Sequence, residues 1–568
     1  MTVAELLERL LGLNTGAAEG IRVEYRNSPT ADWDIKIFSG DANLLLRVME
    51  IVQDQRGVQR LAVKGGNALI LFDDEAVMRA VDRVVAMGPR PGVASKFNGR
   101  RIIVQFIDPN STKAMHLGHL YEAILGNALA ALFESLGAEV RRYCFVSDIS
   151  RTVCEAMAGY EMFGGGKTPE QLGEKPDHMV GRVYAQYATR YYEQYPAEAN
   201  DEDPIRRETA IVGDRADDFI RCYQAGDPAA RGLWRKVRNW VMAGQLETLA
   251  RLRIRLDTIQ YGSDTDATIL RLLETGLARG VLEREPSGAV VYRSGKQEYQ
   301  TVVMTRPDGF PTEHTRQMAQ MISVFANCRD LDRYYTLMGM EWKPAWTLYE
   351  NILRGCGDSP FHDIVQPVCH GMVMVEGSKM KSSKGAVVLA DELLDGIESL
   401  PQLRALAATA GGRVSAAVLA DIIVKSFFLS RRMAKDLNFS WSQVTSSADN
   451  PGWEIASAWC ALHASRQDGR SRSIDLPVAR MLLFKSFDLV RAFDFSAREL
   501  DLSVAIKFLS RLAKLINDAV RTGSDGVPWD LARAVLEHGL ASLGIGKVPV
   551  AQARDEPAAV SAAPAAVA

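Results

Sequence analysis

Two short segments carry the residue types that could handle a nucleoside triphosphate. The first runs Asp108-Pro109-Asn110-Ser111-Thr112-Lys113-Ala114-Met115-His116-Leu117-Gly118-His119. The second, far along the chain, runs Lys379-Met380-Lys381-Ser382-Ser383-Lys384-Gly385. A phosphate chain needs N–H donors and positive charge at the mouth of a helix, where free backbone N–H groups and the helix dipole concentrate. His116 and His119 stand three apart at the expected start of a helix, so both can face one ligand. Gly118 between them removes a side chain and lets an adenine or ribose lie against backbone. Attack of a carboxylate on the α-phosphorus of ATP loads charge onto the transition state and the departing pyrophosphate. The two histidines with Lys379, Lys381 and Lys384 could supply the stabilising charge, and Gly377 and Gly385 would let their loop close and reopen. That chemistry is adenylate formation. Each segment alone also fits packed histidines or a solvated basic run; the two together fit that account poorly.

The elements around them must form a strand–loop–helix–strand unit. Arg101 to Ile107 is β-rich and apolar, as a buried parallel strand is. Leu120 to Ser135 carries Ile124, Leu125, Ala128, Leu129, Leu132 and Phe133 at helical spacing, and Gly137 closes it. Glu139 to Val146 reads as the next strand. This predicts an α/β fold with a doubly wound, Rossmann-type parallel sheet. Residues 1–95 read as a small α+β domain, with a strand over Ala68–Phe72 and a helix over Asp74–Met87. Residues 96–398 read as the catalytic domain, split by a mostly helical, charged insertion over about 150–255. From residue 399 to 550 the pattern is wholly helical and mildly basic, and 551–568, rich in Ala, Pro and Val, reads as a disordered tail. Gly164-Gly165-Gly166-Lys167-Thr168 imitates a phosphate-binding loop, but that motif needs glycine where Glu161 stands, so it reads as a flexible loop.

Composition narrows the class. With 47% apolar and 24% charged residues the chain is an ordinary globular protein, and 568 residues suffice for three or four domains. A net charge of −3 means that any nucleic-acid contact must come from local basic faces. Seven cysteines without CxxC or zinc spacing point to reduced thiols and no protein metal site. The opening residues hold no signal-peptide pattern, and no apolar run reaches the ~18 residues of a membrane span. The expectation is a cytoplasmic monomer with no membrane contact.

These segments resemble a class I aminoacyl-tRNA synthetase: His116–His119 matches its HIGH signature and Lys379–Ser383 its KMSKS loop. The surroundings resemble the arginyl-tRNA synthetase family. Pro109-Asn110 with Lys113 looks like that family's PN-x-x-K-x-x-H-x-G-H, and Ser147-Asp148 with Arg151 like its next turn. Pro176-Asp177-His178, Gly226-Asp227-Pro228 and Leu233-Trp234 are similar to its insertion. Gly371-Met372-Val373, Asp391-Glu392-Leu393-Leu394 and Asp449-Asn450-Pro451-Gly452-Trp453 are similar to later stretches, so the likeness spans about residues 96–545. The resemblance implies a tRNA-elbow-like N-terminal domain and an anticodon-binding-like helical bundle. It implies that Asn110 binds the α-amino group of an amino acid. ATP would be bound by His116, Gly118, His119, Met380, Lys381, Ser382 and Ser383, with Lys379 and Lys384 steadying its phosphates. Mg²⁺ would arrive with ATP, and tRNA would be a partner.

The amino-acid pocket departs from the family. Gln105 stands where an acidic residue is usual, Glu313 where a tyrosine is usual, and Gln317 where an aspartate grips the guanidinium. Tyr121 replaces the arginine after HIGH, and the family's usual C-terminal ending is absent. Burying a guanidinium without its carboxylate costs roughly 3–5 kcal/mol, unless Glu313 reaches in from a new direction. Three readings stay open: a synthetase charging tRNA with arginine or an analogue; a repurposed paralogue that passes the acyl group to a small amine or carrier; and a non-catalytic tRNA-binding protein.

Overall fold

The computed structural model describes residues 21–40, 42–53, 57–89, 95–200, 210–294, 301–328, 330–357, 364–379, 387–464, 475–522 and 526–546. Its centre is a five-stranded, all-parallel sheet. The strands are β1 (Arg101–Gln105), β2 (Glu139–Val146), β3 (Thr258–Tyr261), β4 (Arg333–Gly339) and β5 (Val365–His370). Their order across the sheet is β5-β4-β1-β2-β3. The chain therefore winds one way from β1 to β3 and then returns to the other side of β1. That reversal opens a crevice beyond the carboxyl ends of β1 and β4, where ligands of such sheets bind.

Helix α1 (Leu117–Ser135) covers the sheet directly after β1. Fourteen of its residues are buried, which explains why its apolar spacing continues almost all round. At Gly126 an added Cβ would lie 2.1 Å from Phe106, so only glycine admits this close approach of helix to strand end. Gly137, at φ +94°, makes the turn into β2. The strand expected over Arg101–Ile107 stops at Gln105, because Ile107 takes a positive φ of 57° and turns the chain into the loop. Helix α1 starts three residues before the expected Leu120, because His116 caps it.

Between β2 and β3 the chain forms long helices over Arg151–Phe163, Pro176–Gln194, Arg215–Gln224 and Pro228–Arg251. They share their own apolar cluster, which includes Val153, Met157, Val183, Phe219 and Trp234. Gly164–Lys167 joins the first of them to a capping box on Thr168 and Gln171. Residues 266–327 add helices and a small antiparallel sheet, among them α2 (Glu313–Asn327). Helix α3 (Ala390–Ser399) opens the helical remainder.

The sequence pattern predicts a wholly helical remainder, and the structure corrects this. Leu437–Phe439 is a strand, paired in parallel with Val373–Val375. Leu437 and Phe439 are buried at 2% and 0% exposure, and this burial wins over the helical surroundings. The N-terminal four-stranded antiparallel sheet docks on the helix Leu476–Glu499. Arg480 of that helix donates to Asp34, to Asp74 and to the Phe72 carbonyl, and Tyr25 stacks on Phe484. No helix among the described residues is long and apolar enough to cross a membrane. The tail 551–568 lies outside the described residues.

Candidate active site

The loop after β1 turns the chain into α1, and His116 is the cap that joins them. Its Nδ1 accepts the Gly118 N–H at 3.1 Å, one of the free donors at a helix start. His119 follows one turn later, and the two rings stack with centroids 3.9 Å apart at 13°. Burial, with help from Lys113, lowers the His116 pKa to about 4. Burial, His116 and Lys113 push His119 well below its ordinary value. Both rings are therefore neutral near pH 7. They act as hydrogen-bonding groups in the resting site, which corrects the expectation that they supply charge. His119 Nδ1 has no hydrogen-bond partner among the described residues.

A cavity of about 360 Å³ opens beside these rings, at the sheet's reversal point. Asp108, Asn110, His116, Gly118 and His119 line it from the β1–α1 side. Thr336 to Gly339 line it from the end of β4, and His370 from the end of β5. Helix α2 contributes Glu313 and Gln317, and Trp342, Trp346 and Tyr349 form an aromatic wall.

The lysine loop approaches from a hairpin. Ser378–Lys379 pairs with Met374 and Val375, and Gly377 N–H donates to Asn438 Oδ1 at 2.7 Å. Lys379 is thus placed by its backbone. Met380, Lys381, Ser382, Ser383 and Lys384 lie outside the described residues. Where the chain is described again it is strapped onto the histidine segment. Leu117 N–H donates to Val388 O at 3.1 Å, Ala390 N–H donates to Met115 O at 2.9 Å, and His116 bridges Leu389. The stretch that follows the lysine loop, Val388–Ala390, therefore meets the histidine segment although the sequence separates them widely.

The four amino-acid positions divide. Asn110 lines the cavity; its carbonyl accepts from Gln245 at 3.2 Å and its Oδ1 is buried without a partner among the described residues. Glu313 and Gln317 also line it. Gln317 Oε1 accepts from Tyr349 O–H at 3.1 Å, and the Tyr349 hydroxyl lies 2.6 Å from His314 Nδ1. Gln105 does not reach the cavity. It is 1% exposed, donates to Asp108 Oδ1 at 2.6 Å and accepts from Thr336. Asp108, Glu122 and His370 were missed in the sequence. Asp108 could have been found from its place directly before Pro109-Asn110, whereas Glu122 and His370 carry no local signal. Glu122 accepts the Ile107 N–H at 2.9 Å and lies 3.9 Å from His370 Nε2, an ion-pair distance too long for a hydrogen bond. Burial alone would lower the His370 pKa, but Glu122 outweighs it and raises it.

Among the described residues, Asp177, His178 and Asp391 bring three ligand atoms within 4.8 Å of one another. Lys175 Nζ already sits 3.2 Å from Asp177 and 2.8 Å from Asp391, so an ammonium meets the negative charge that a metal would need.

Residues 81–408 match the family described as tRNA synthetases class I (R), catalytic domain. The chain belongs to this family. Within the family it is 30% identical over 319 residues to an arginine–tRNA ligase of Treponema pallidum, covering 56% of this chain and 51% of that one. An arginine–tRNA ligase of Bacteroides fragilis is 28% identical over 305 residues, 53% and 51% of the two chains. The chain thus spans about half the length of the curated relatives it matches. Its fold is that of the arginyl-tRNA synthetase of Thermus thermophilus, with a TM-score of 0.65 at 18% identity over 96% of this chain and 99% of that one. The Plasmodium falciparum arginyl-tRNA synthetase aligns at a TM-score of 0.63 and 12% identity over 95% and 97% of the two chains.

Proposed function

We propose that the chain is a synthetase of the arginyl type that activates arginine or an arginine-like amino acid with MgATP in the cytoplasm. The substrate carboxylate attacks the α-phosphorus, the bond to pyrophosphate breaks, and the aminoacyl-adenylate then gives its acyl group to a tRNA hydroxyl with release of AMP. The observation that carries this reading is the strapping of the lysine loop's exit onto the capped start of α1, beside the cavity at the sheet's reversal. Asn110, with its buried unpartnered Oδ1, would accept the α-ammonium. His116 and His119, neutral and stacked, would donate to or accept from the nucleotide without repelling its Mg²⁺. Lys379, Lys381 and Lys384 would bring the charge that the histidines lack, while Met380, Ser382 and Ser383 complete the loop over ATP. The changed head-group end of the cavity favours a second reading, in which the acyl group passes to a small amine or carrier.

ATP–pyrophosphate exchange against a panel of amino acids, with and without tRNA, tests both. Exchange with arginine that depends on tRNA supports the first reading. Exchange with another amino acid in the absence of tRNA supports the second. No exchange under any condition refutes both.

A further inference from the structure

Ile107 holds a backbone conformation that its side chain disfavours. At φ 57° it stands in the left-handed region, where a β-branched residue is an outlier. Such strain persists only where the surroundings over-determine it, and here the turn delivers Asp108 and Asn110 to the cavity. Glu122 of α1 holds the turn: its Oε1 accepts the Ile107 N–H at 2.9 Å. Its other oxygen, Oε2, lies 3.9 Å from Nε2 of His370, the last residue of β5. One carboxylate thus grips the loop after β1 and faces the strand that runs through Gly371 into the hairpin of Lys379.

His370 is fitted to face that carboxylate. The residue is 7% exposed, and its Nδ1 lies 2.9 Å from the Gly371 carbonyl, to which a proton on Nδ1 donates. Nε2 is buried with no hydrogen-bond partner among the described residues, so Glu122 is what answers a proton there. Tyr121, beside Glu122 on α1, meets the imidazole edge-on with centroids 5.4 Å apart, which fixes the plane of the ring.

We propose that His370 is a positioning residue: through Glu122 it holds the Ile107 turn, and so sets Asp108 and Asn110 against the strand that leads into the lysine hairpin. This deepens the reading above and rests on it for what Asn110 binds. The groups that face the ring are Tyr121 and Glu122 from α1, Glu341 from the turn after β4, and the Gly371 carbonyl. Burial lowers the His370 pKa, but Glu122, the carbonyl and Glu341 outweigh it and raise the value above 6.5. The grip is therefore complete below pH 6.5 and fades as pH rises through the raised value, opposite in sign to His116 and His119.

Hydrogen exchange of the full chain without ligand, followed by mass spectrometry from about pH 6 to 9 and corrected for intrinsic rates, tests this. In the unaltered chain residues 106–113 should lose protection as pH rises, while Glu139–Val146 keeps it. At the acid end His370→Phe should speed exchange of that segment roughly tenfold. His370→Gln, whose amide can still donate to Glu122, should restore part of the protection. Added to Glu122→Gln, His370→Phe should have no further effect. Titration of the His370 ring by NMR needs neither His370 variant: its pKa should lie above 6.5 and fall in Glu122→Gln. An unchanged segment in His370→Phe, a loss spread evenly over the chain, additive variants, or a ring pKa that ignores Glu122→Gln overturns the proposal. Absence of pyrophosphate exchange with every amino acid would sink the synthetase reading and leave the hydrogen-exchange result standing.

Discussion

Gln105 donates its amide to Asp108 Oδ1 at 2.6 Å, and the strand residue is thereby closed off from the cavity by the loop residue three positions later. Restoring an acid at 105 would set two buried carboxyls side by side. Gln105→Asp is expected to destabilise the chain by about 3 kcal/mol or more, the scale of an uncompensated buried charge. Gln105→Asp with Asp108→Ser should recover most of that loss, because the two sites share one hydrogen bond. Thermal denaturation of the four members of the cycle measures it; additive losses would show that the pair is not coupled.

The stacked histidines set a pH window. The His116 pKa falls from 6.5 to about 4 on burial, and His119 falls too. Between those values the unfolded chain binds more protons than the folded one. Stability is therefore full above pH 6.5 and is lost as pH falls toward 4. Pyrophosphate exchange should show no limb from these two rings near neutrality and should fall below about pH 5. His119→Ala should cost roughly 10²–10³ in kcat if the ring contacts the transition state.

Lys175 joins the insertion to α3, with Nζ 2.8 Å from Asp391, and His178, Thr248 and Arg251 converge on the same carboxylate. Burial alone would raise the Asp391 pKa, but His178 and Lys175 hold it well below the usual range. Its contribution to stability is present above the unfolded value of 3.8 and is lost only in strong acid. Lys175→Met leaves that buried charge short of a partner, at a cost of about 3–5 kcal/mol. Hydrogen exchange should rise in Pro228–Arg251 and Ala390–Ser399 ahead of the rest of the chain.

Gly371 lies where β5 turns toward the lysine loop. Its N–H donates to Met433 O at 2.8 Å, and an added Cβ would fall 2.2 Å from the Lys435 backbone. Gly371→Ala must push the two segments apart, at about 1–3 kcal/mol. The expected outcome is a folded protein whose exchange rate drops with ATP concentration-dependence altered, because Val373–Val375 and the hairpin to Lys379 move with the turn. Unchanged kinetics would separate the loop from the helical bundle.

Much of the fold was legible along the chain. The helix Asp74–Met87 and the strand Glu139–Val146 were read at their observed bounds, because a capping aspartate and a run of two-sided apolar residues are local signals. The strand Leu437–Phe439 was not, because three residues hold no period of their own and only the partner Val373–Val375 makes them a strand. The docking of Arg480 on Asp34 escaped notice for the same reason: 446 positions separate them.

The candidate site divides in the same way. His116, Gly118 and His119 were singled out by type and spacing, because a helix start presents its groups within one turn, and Asn110 by the family resemblance; all four line the cavity. By itself the sequence determined the two motif segments, the order of the elements and the amides at 105 and 317. Tertiary structure alone decided that Gln105 turns away, and that Asp108, Glu122, Glu313 and His370 share one cavity. These residues come from four separate elements. A residue's charge can be read from the chain, but the dielectric and the neighbours that set its protonation exist only after the sheet has closed around it.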